Sequence, residues 1–274
     1  MGLFLLVCVG VWGLAYMAHG QIYGNHMVIV VMIGIMCAVA GFGLLYWLLV
    51  QGIYNKFNTA YKESYVLETL QQNPKFQNIY YSPKAGLPYQ TLQRLGIIPM
   101  GIQRYFKSED MLSGSYRNMK FFISDVVTKK PAYKNRIQTL FEGQVICLEG
   151  FHQNCVGNVQ VFHKKFSHKQ HKGSALPMQA EQWNHLFQVY AQQPQHAQSI
   201  LTPKRTEQLL VFANAIQIPC AVVFEANRIF FALHTGNSMF DANISQTLSQ
   251  QKAGIAKDVF GLEKALDIFV NNNG

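Results

Sequence analysis

The chain has 274 residues and a formal net charge of +9, from 23 basic and 14 acidic side chains. The first charged residue is Lys56, so a charge-free segment precedes a basic one. The sequence has no GxSxG, Walker, HExxH or paired-carboxylate motif, which leaves the enzyme classes that carry them without support. Its five cysteines include no CxxC pair, so the composition argues against a disulfide framework and favours a reducing compartment.

Two long apolar runs fill the charge-free segment, at about 3–20 and 27–50. A helix needs about 20 apolar residues to cross the ~30 Å hydrocarbon core of a bilayer. The stretch between the runs is short, as the turn of a helical hairpin must be. The sequence therefore predicts a two-helix transmembrane hairpin over residues 1–53. The alternative, a cleaved signal peptide followed by one anchor, lacks the positively charged leader that signal peptides carry.

The basic residues predict the orientation of this hairpin. Lys56 and Lys62 follow the second run closely, and no basic residue precedes it. Because basic residues concentrate on the cytoplasmic side of membrane proteins, both termini are predicted to be cytoplasmic. We therefore expect a multi-pass protein of the inner (plasma) membrane.

The remaining chain predicts a folded domain beside the membrane. Residues 54–74 are predicted to form a juxtamembrane helix, since Tyr61 and Tyr65 recur at helical spacing. Residues 75–270 predict a cytoplasmic α+β domain of antiparallel β-hairpins with several helices, and residues 271–274 a frayed tail. The strands are predicted at 79–82, 110–116, 120–129, 136–149, 156–162, 187–191, 220–224 and 228–233, and the helices at 89–95, 181–186, 202–217 and 256–269.

Two local signals refine this prediction. Thr202 is a good N-cap, and Pro203 occupies the first helical position, where its missing N–H costs nothing. Gly143, inside the long predicted strand 136–149, is a candidate β-bulge.

Basic side chains dominate the segment 127–172, where only Glu142 and Glu149 oppose them. If the hairpins bring these side chains to one edge, they form a face suited to anionic lipid, which attracts each nearby cation by about 1 kcal/mol. A set of solvated loops explains the same residues equally well. Nucleic acid, the other usual partner of basic proteins, is not expected beside a membrane segment. The candidates are Lys129, Lys130, Lys134, Arg136, Lys164, Lys165, Lys169 and Lys172.

Lys204 and Arg205 form a second candidate site for anions, in the first turn of the helix that follows Thr202. Backbone N–H groups at a helix N-terminus favour anions and oppose cations, so a bound phosphate or headgroup would reconcile the two charges. The alternative is that both side chains point into water at a small cost in stability.

A histidine-rich loop offers weak metal ligands in His163, His168 and His171. Their spacing matches no closed structural site, and the lysines of the same loop would repel a cation. A solvated basic loop is the favoured interpretation, and no metal or cofactor is expected.

Four stretches, taken in order, resemble a bacterial membrane-protein family known as a domain of unknown function, number thirty-one thirty-seven. The resemblance covers roughly Phe57–Asp241, and its ILTP step with the following helix is the most specific part. It implies membrane helices joined to a cytoplasmic α+β domain, with a LemA-like membrane protein as a partner. It implies no activity and no catalytic residue. The stretches are MLSGSYRNMKFFISDVV (111–127), LFEGQVICLEG (140–150), FQVYAQQPQHAQSILTPKRTEQLL (187–210) and VVFEANRIFFALHTGNSMFD (222–241).

These patterns favour a non-enzymatic inner-membrane protein whose cytoplasmic domain binds a partner protein or anionic lipid headgroups. One alternative is a membrane-tethered enzyme that acts on a lipid or small metabolite through a site without a known motif. A second alternative is a metal-responsive sensor that uses the histidine loop.

Overall fold

The computed structural model describes residues 25–150, 155–166, 171–178, 180–243 and 245–270. The chain divides into two compact units, Met1–Thr59 and Ala60–Gly274. The boundary falls inside the predicted juxtamembrane helix, 54–74.

The second apolar run lies in helix α1, Asn25–Tyr61, and the first run lies outside the described residues. From Met32 onward this helix is long and apolar enough to cross a membrane. Its large apolar side chains face outward, as Met36 and Val39 illustrate with exposures of 69% and 68%. Exposed apolar side chains along such a length are typical of a helix that spans a bilayer or packs against another protein. The two-helix hairpin itself rests on residues beyond those described.

The helical path continues past Tyr61 without a break. A single π-helical turn spans Lys62–Val66, and α2 spans Leu67–Gln71. Val66 and Leu70 are buried in the core of the second unit, which fixes this stretch against the sheet.

One antiparallel sheet of nine strands organises the described part of the second unit. Its spatial order is β1-β2-β3-β4-β9-β8-β5-β7-β6. The strands are β1 Phe76–Ser82, β2 Lys107–Tyr116, β3 Met119–Pro131, β4 Ile137–Glu149, β5 Cys155–His163, β6 Ser174–Leu176, β7 Phe187–Ala191, β8 Cys220–Ala226 and β9 Arg228–Leu233.

Helices cover both faces of this sheet, because alternate strand residues are apolar on each side. α3 and the segment after it bury Leu92, Leu95 and Ile97 on one face. The remaining helices, with α2, bury the larger core on the other face, where Trp183 and Phe269 are fully enclosed. The helices are α3 Tyr89–Leu95, α4 Glu181–Leu186, α5 Pro194–Ile200, α6 Pro203–Ile216 and α7 Leu248–Val270.

The predicted α+β architecture of antiparallel strands with several helices is confirmed, and the strands form one large sheet. Thr202 caps α6 as expected, since its side chain accepts a hydrogen bond from the backbone N–H of Arg205. Two elements had no sequence prediction, the three-residue strand β6 and the short helix α5. Both are too short to show a periodic pattern.

Gly143 is not the bulge that the sequence predicted. The register shift between β3 and β4 occurs earlier, where Thr128 faces Phe141 and Lys129 faces Thr139. Gly143 serves a close approach instead, since a Cβ there would lie 2.0 Å from the carbonyl oxygen of Leu233. Only a residue without a side chain fits between β4 and the end of β9.

Candidate functional site

The strand register brings two of the predicted basic segments to the same end of the sheet. Gln144 of β4 pairs with Leu233, which in turn pairs with Cys220 at the start of β8. Ala221 pairs with Phe162, so the end of β5 lies at this level too. The β3–β4 hairpin extends beyond this level, because β4 begins at Ile137.

The loop after β5 contacts this hairpin directly. The buried ring of Phe166 lies 5.9 Å from the ring of Phe141, centroid to centroid. The backbone N–H of Lys164 donates to the carbonyl of Leu186 at 2.8 Å, which fixes the start of the loop. The side chains of Lys164 and Lys165 remain exposed. We define the basic cluster as the cations of these two segments, Lys129, Lys130, Lys134, Arg136, Lys164 and Lys165.

The hairpin tip adds exposed apolar groups to these cations. Tyr133 is 84% exposed and Ile137 is 54% exposed. Lys134 has a left-handed backbone, with φ 58°, and its Nζ lies 5.6 Å from the centroid of the Tyr133 ring. A tyrosine and a branched aliphatic side chain among cations are the groups that favour the headgroup layer of a membrane.

The other predicted anion-binding residues do not join this cluster. Lys172 lies along β5, where its N–H donates to Oε1 of Gln160 at 2.7 Å and its ammonium to the carbonyl of Arg94. Lys204 is exposed, but it begins α6, whose other end leads to β8 about 21 Å away. Arg205 is only 2% exposed and donates to the carbonyl of Ile200, so it faces the interior. Lys169 lies outside the described residues.

Two of the three candidate histidines are held by aromatic neighbours. His163 is buried against Phe187, its Nδ1 accepts from the N–H of Lys165 at 3.1 Å, and burial lowers its pKa. His171 stacks on Tyr190 with a centroid distance of 3.9 Å. His168 lies outside the described residues. Within the described ranges, His, Cys, Asp and Glu residues form no group of three or more suited to a metal ion.

A buried group of charges, which the sequence did not single out, lies where the π-helical turn meets the sheet. Lys62 is 2% exposed, and its Nζ lies 2.8 Å from Oδ2 of Asp110 and 2.6 Å from Oδ1 of Asp241. The hydroxyl of Tyr81 donates to the other oxygen of Asp110. Asp125 is the fifth member of what we define as the ionic cluster, Lys62, Tyr81, Asp110, Asp125 and Asp241.

Asp125 is the most perturbed carboxyl of this cluster. Burial raises its pKa to about 7, although hydrogen bonds and the nearby charge of Lys62 favour the carboxylate. Nε2 of Gln144 donates to Oδ1 at 2.9 Å, and the N–H of Met239 donates to both oxygens at 3.1 Å. The opposing amide oxygen of Gln144 accepts from Thr235 at 3.0 Å, which fixes the orientation of its side chain.

Irregular backbone surrounds the ionic cluster on three sides. Lys62 opens the π-helical turn, a form that occurs frequently at functional sites. Asp110 lies in a bulge of β2 with φ 56°. Phe240, next to Asp241, has φ 59°. Backbone strain of this kind persists only where the surroundings fix it, and it concentrates at switches and binding sites.

The space at the ionic cluster is too small for a substrate. The cavity lined by Lys62, Tyr81, Asp110 and Asp125 has a volume of about 20 Å³. That is the volume of roughly one water molecule. The charges can therefore bind a proton or a water, but not a metabolite.

Burial also raises the pKa of the Cys147 and Cys220 thiols to about 12, which keeps them un-ionised.

One sequence signal does point to Lys62. It heads the row Lys62, Val66, Leu70, spaced at four residues along one helix face, and the two apolar members are buried. A lysine at the start of an apolar row is a candidate for burial. Lys62 also closely follows the apolar run, and this position favours its interpretation as a residue that sets the orientation of the helix in the membrane.

Comparison with known proteins gives a match to a family model and a distant similarity to a solved structure. Residues 136–269 match the family described as "Protein of unknown function (DUF3137)". Three of the four stretches that carried the resemblance overlap this range, and 111–127 precedes it. The chain is also similar to the crystal structure of the mycobacterial trehalose monomycolate transport factor A, TtfA, at 11% identity and a TM-score of 0.38, over 77% of this chain and 94% of that one. No curated protein matches. The match to the DUF3137 family therefore covers residues 136–269, slightly less than half of the chain.

Proposed function

We propose that the chain is a non-enzymatic protein of the bacterial inner membrane whose α+β domain binds anionic lipid headgroups through the basic cluster. A two-helix hairpin over residues 1–53 holds it in the bilayer, with both termini cytoplasmic. The observation that carries this proposal is the meeting of the β3–β4 hairpin and the β5–β6 loop at one end of the sheet. Each cation near an anionic leaflet contributes about 1 kcal/mol, so the six together contribute up to about 6 kcal/mol to a domain that the hairpin already holds beside the bilayer.

The tip of the hairpin supports a membrane as the partner. Tyr133 and Ile137 are exposed beside Lys134 and Arg136, so the surface combines charge with groups that enter the interface. A purely solvated loop has no need of large exposed apolar side chains. The topology supports the same partner, because Lys56 follows the apolar run and basic residues favour the cytoplasmic side.

A partner protein is the second form of this proposal, since an acidic surface suits the same cations. The family resemblance points to a LemA-like membrane protein. Crosslinking in native membranes, followed by affinity capture of the chain, tests this partner directly.

The enzyme alternative receives less support from the geometry. The titratable groups that cluster in the interior enclose about 20 Å³, and a substrate must reach such groups to be transformed. For the metal-sensor alternative, the described residues group no three ligands together. A purified full-length chain that binds zinc stoichiometrically, and loses it on deletion of 163–171, would revive that alternative.

The proposal is tested with residues 60–274, the second compact unit, and vesicles of defined composition. The fragment is expected to sediment with vesicles that contain phosphatidylglycerol and to remain in solution with phosphatidylcholine. Because the Debye length is only about 3 Å at 1 M salt, added salt should release the fragment from the vesicles. Reversal of Lys164 and Lys165 to glutamate should weaken binding, whereas reversal of Lys120, an exposed lysine on β3 outside the cluster, should not. Equal binding to both lipids would end the proposal.

A further inference from the structure

A long groove between α6 and α7 lies on the sheet face that carries the larger core. Its volume is about 1010 Å³, and residues of β4 and β9 form its floor. Ligand sites of proteins typically occupy about 300–1000 Å³, so this groove has the size of a binding site rather than a packing defect. The floor and inner walls are apolar, with Ile146, Phe212, Ile216, Leu233, Leu262 and Ile268.

Large apolar side chains also face the opening of the groove. Val211 on α6 is 64% exposed, and Phe260 on α7 is 59% exposed. Between them the walls carry small residues, Ala215 and Gly261. A Cβ added at Gly261 would meet no atom within 4 Å, so the space beside it is open. Apolar surface that is open and continuous with an apolar floor marks a binding surface.

The charges at the rim favour an anionic group on the α7 side. Among the carboxylates of the lining, Asp267 accepts from the hydroxyl of Tyr116 at 2.7 Å and pairs with Arg117 at 3.4 Å. Lys257 and Lys264 are exposed, and within the described part of the chain neither lies within ion-pair distance of a carboxylate.

The neighbours of these two lysines define the shape of the rim. The ammonium of Lys264 lies 5.1 Å from the Phe260 ring, so a cation stands directly above an exposed apolar group. Burial raises the pKa of Asp258, beside Lys257, although a backbone hydrogen bond from Phe240 and the charge of Lys257 favour its carboxylate. Glu207 on α6 is the exposed carboxylate of the opposite wall. The exposed charges on the α7 edge of the groove are therefore the cations Lys257 and Lys264, whereas Asp258 and Asp267 are partly buried.

We propose that this groove binds the acyl chains of an anionic membrane lipid, with the headgroup at Lys257 and Lys264. Apolar floor, open apolar rim and paired cations two helical turns apart match an amphiphile with a negative head. This site is separate from the basic cluster and does not rest on it. Gln144 and Met239 line the groove and also donate to Asp125, so an occupied groove contacts the support of the ionic cluster.

The test uses the full chain in phosphatidylcholine nanodiscs that contain a small fraction of phosphatidylglycerol with a photoactivatable acyl chain. After illumination, lipid-labelled peptides are expected in 203–216 and 248–270. Gly261→Leu fills the open space and should lower this labelling about tenfold, equivalent to 1.4 kcal/mol of affinity. Gly254→Leu is the matched control, because Gly254 also has nothing within 4 Å of an added Cβ but lies two turns earlier, outside the groove lining. Equal labelling of both variants, or label confined to α1, would overturn the inference.

Two further variants keep the result decisive. If Gly261→Leu does not fold, Lys257→Gln with Lys264→Gln should reduce labelling by the anionic probe relative to its phosphatidylcholine analogue. Unchanged preference would contradict the assigned headgroup position. A photocrosslinking benzoylphenylalanine in place of Phe260, used in native membranes, distinguishes occupants by adduct mass. A lipid adduct supports the inference, whereas a polypeptide adduct or a dimer of the chain overturns it. Charge reversal at Lys164 and Lys165 should leave the groove labelling unchanged.

Discussion

At the scale of single residues, the most consequential feature is a lysine in the interior. Lys62 is almost fully buried, and its charge is tolerated because Asp110 and Asp241 lie within 2.8 Å and 2.6 Å. Taking an ammonium out of water costs several kcal/mol, which close carboxylates offset. These two ion pairs join the stretch after α1 to a bulge in β2 and to the segment after β9.

Lys62→Ala is expected to destabilise the domain by about 3 kcal/mol, because it leaves buried carboxylates without their counter-ion. The free energy of unfolding, from denaturant titration of the full chain in detergent, measures this loss. Lys120→Ala is the control, since this exposed lysine should change stability by less than about 0.5 kcal/mol. Equal stability of the two variants would show that the buried ion pairs of Lys62 do not stabilise the fold.

Asp125 predicts a pH dependence of stability. Its folded-state pKa of about 7 lies above its ordinary value of 3.8, so the folded state holds a proton that the unfolded state releases. The free energy of unfolding should therefore fall as pH rises from about 4 to 7, by up to about 1.4 kcal/mol per pKa unit. Asp125→Asn removes this titration. The free energy of unfolding of the variant should therefore rise relative to that of the parent over the same pH range. Parallel profiles of the two proteins between pH 4 and pH 8 would contradict the assignment.

At the scale of elements, close backbone contacts decide how β4 is used. Gly143 lets β4 pair with β3 while the end of β9 approaches from the other side. This approach sets where β9 ends and where the β3–β4 hairpin begins to project. The hairpin that carries four of the six cations of the basic cluster therefore depends on one glycine.

Gly143→Ala is expected to cost about 2 kcal/mol or more, because its Cβ would lie 2.0 Å from a backbone oxygen that cannot rotate away. Hydrogen exchange of the β4 and β9 amides should accelerate, which locates the loss in this pair. Gly261→Ala is the comparison, since nothing lies within 4 Å of its added Cβ and alanine favours the helix. A Gly143 variant as stable as the Gly261 variant would exclude the steric explanation.

The sequence predicted most long elements to within a few residues, because hydrophobic period and capping residues are local signals. Tyr89–Leu95 and Phe187–Ala191 match the predicted bounds, and α6 begins directly after its N-cap Thr202. Long-range features escaped prediction. The ionic cluster joins Lys62 to Asp110, Asp125 and Asp241, which only the strand register and the chain's return bring together. The groove between α6 and α7 likewise follows from packing, not from either helix alone.

At the scale of the whole molecule, the second unit offers two surfaces with different chemistry. The basic cluster presents cations and exposed Tyr133 at one end of the sheet, which suits the headgroup layer. The groove presents an apolar floor below a cationic rim, which suits acyl chains. Under the proposed function, a headgroup and an acyl chain of the same lipid supply both kinds of ligand, beside a helix that is long and apolar enough to cross a bilayer.

The central claim, that the basic cluster binds anionic headgroups, is tested by hydrogen exchange of the full chain in nanodiscs of two compositions. We expect phosphatidylglycerol to slow exchange at 129–137 and 163–166 relative to phosphatidylcholine, and high salt to remove this protection. Substitution of Lys130 and Lys134 by glutamate should abolish the difference between the two lipids. Equal exchange rates in both segments, whichever lipid is present, would contradict headgroup binding by the basic cluster.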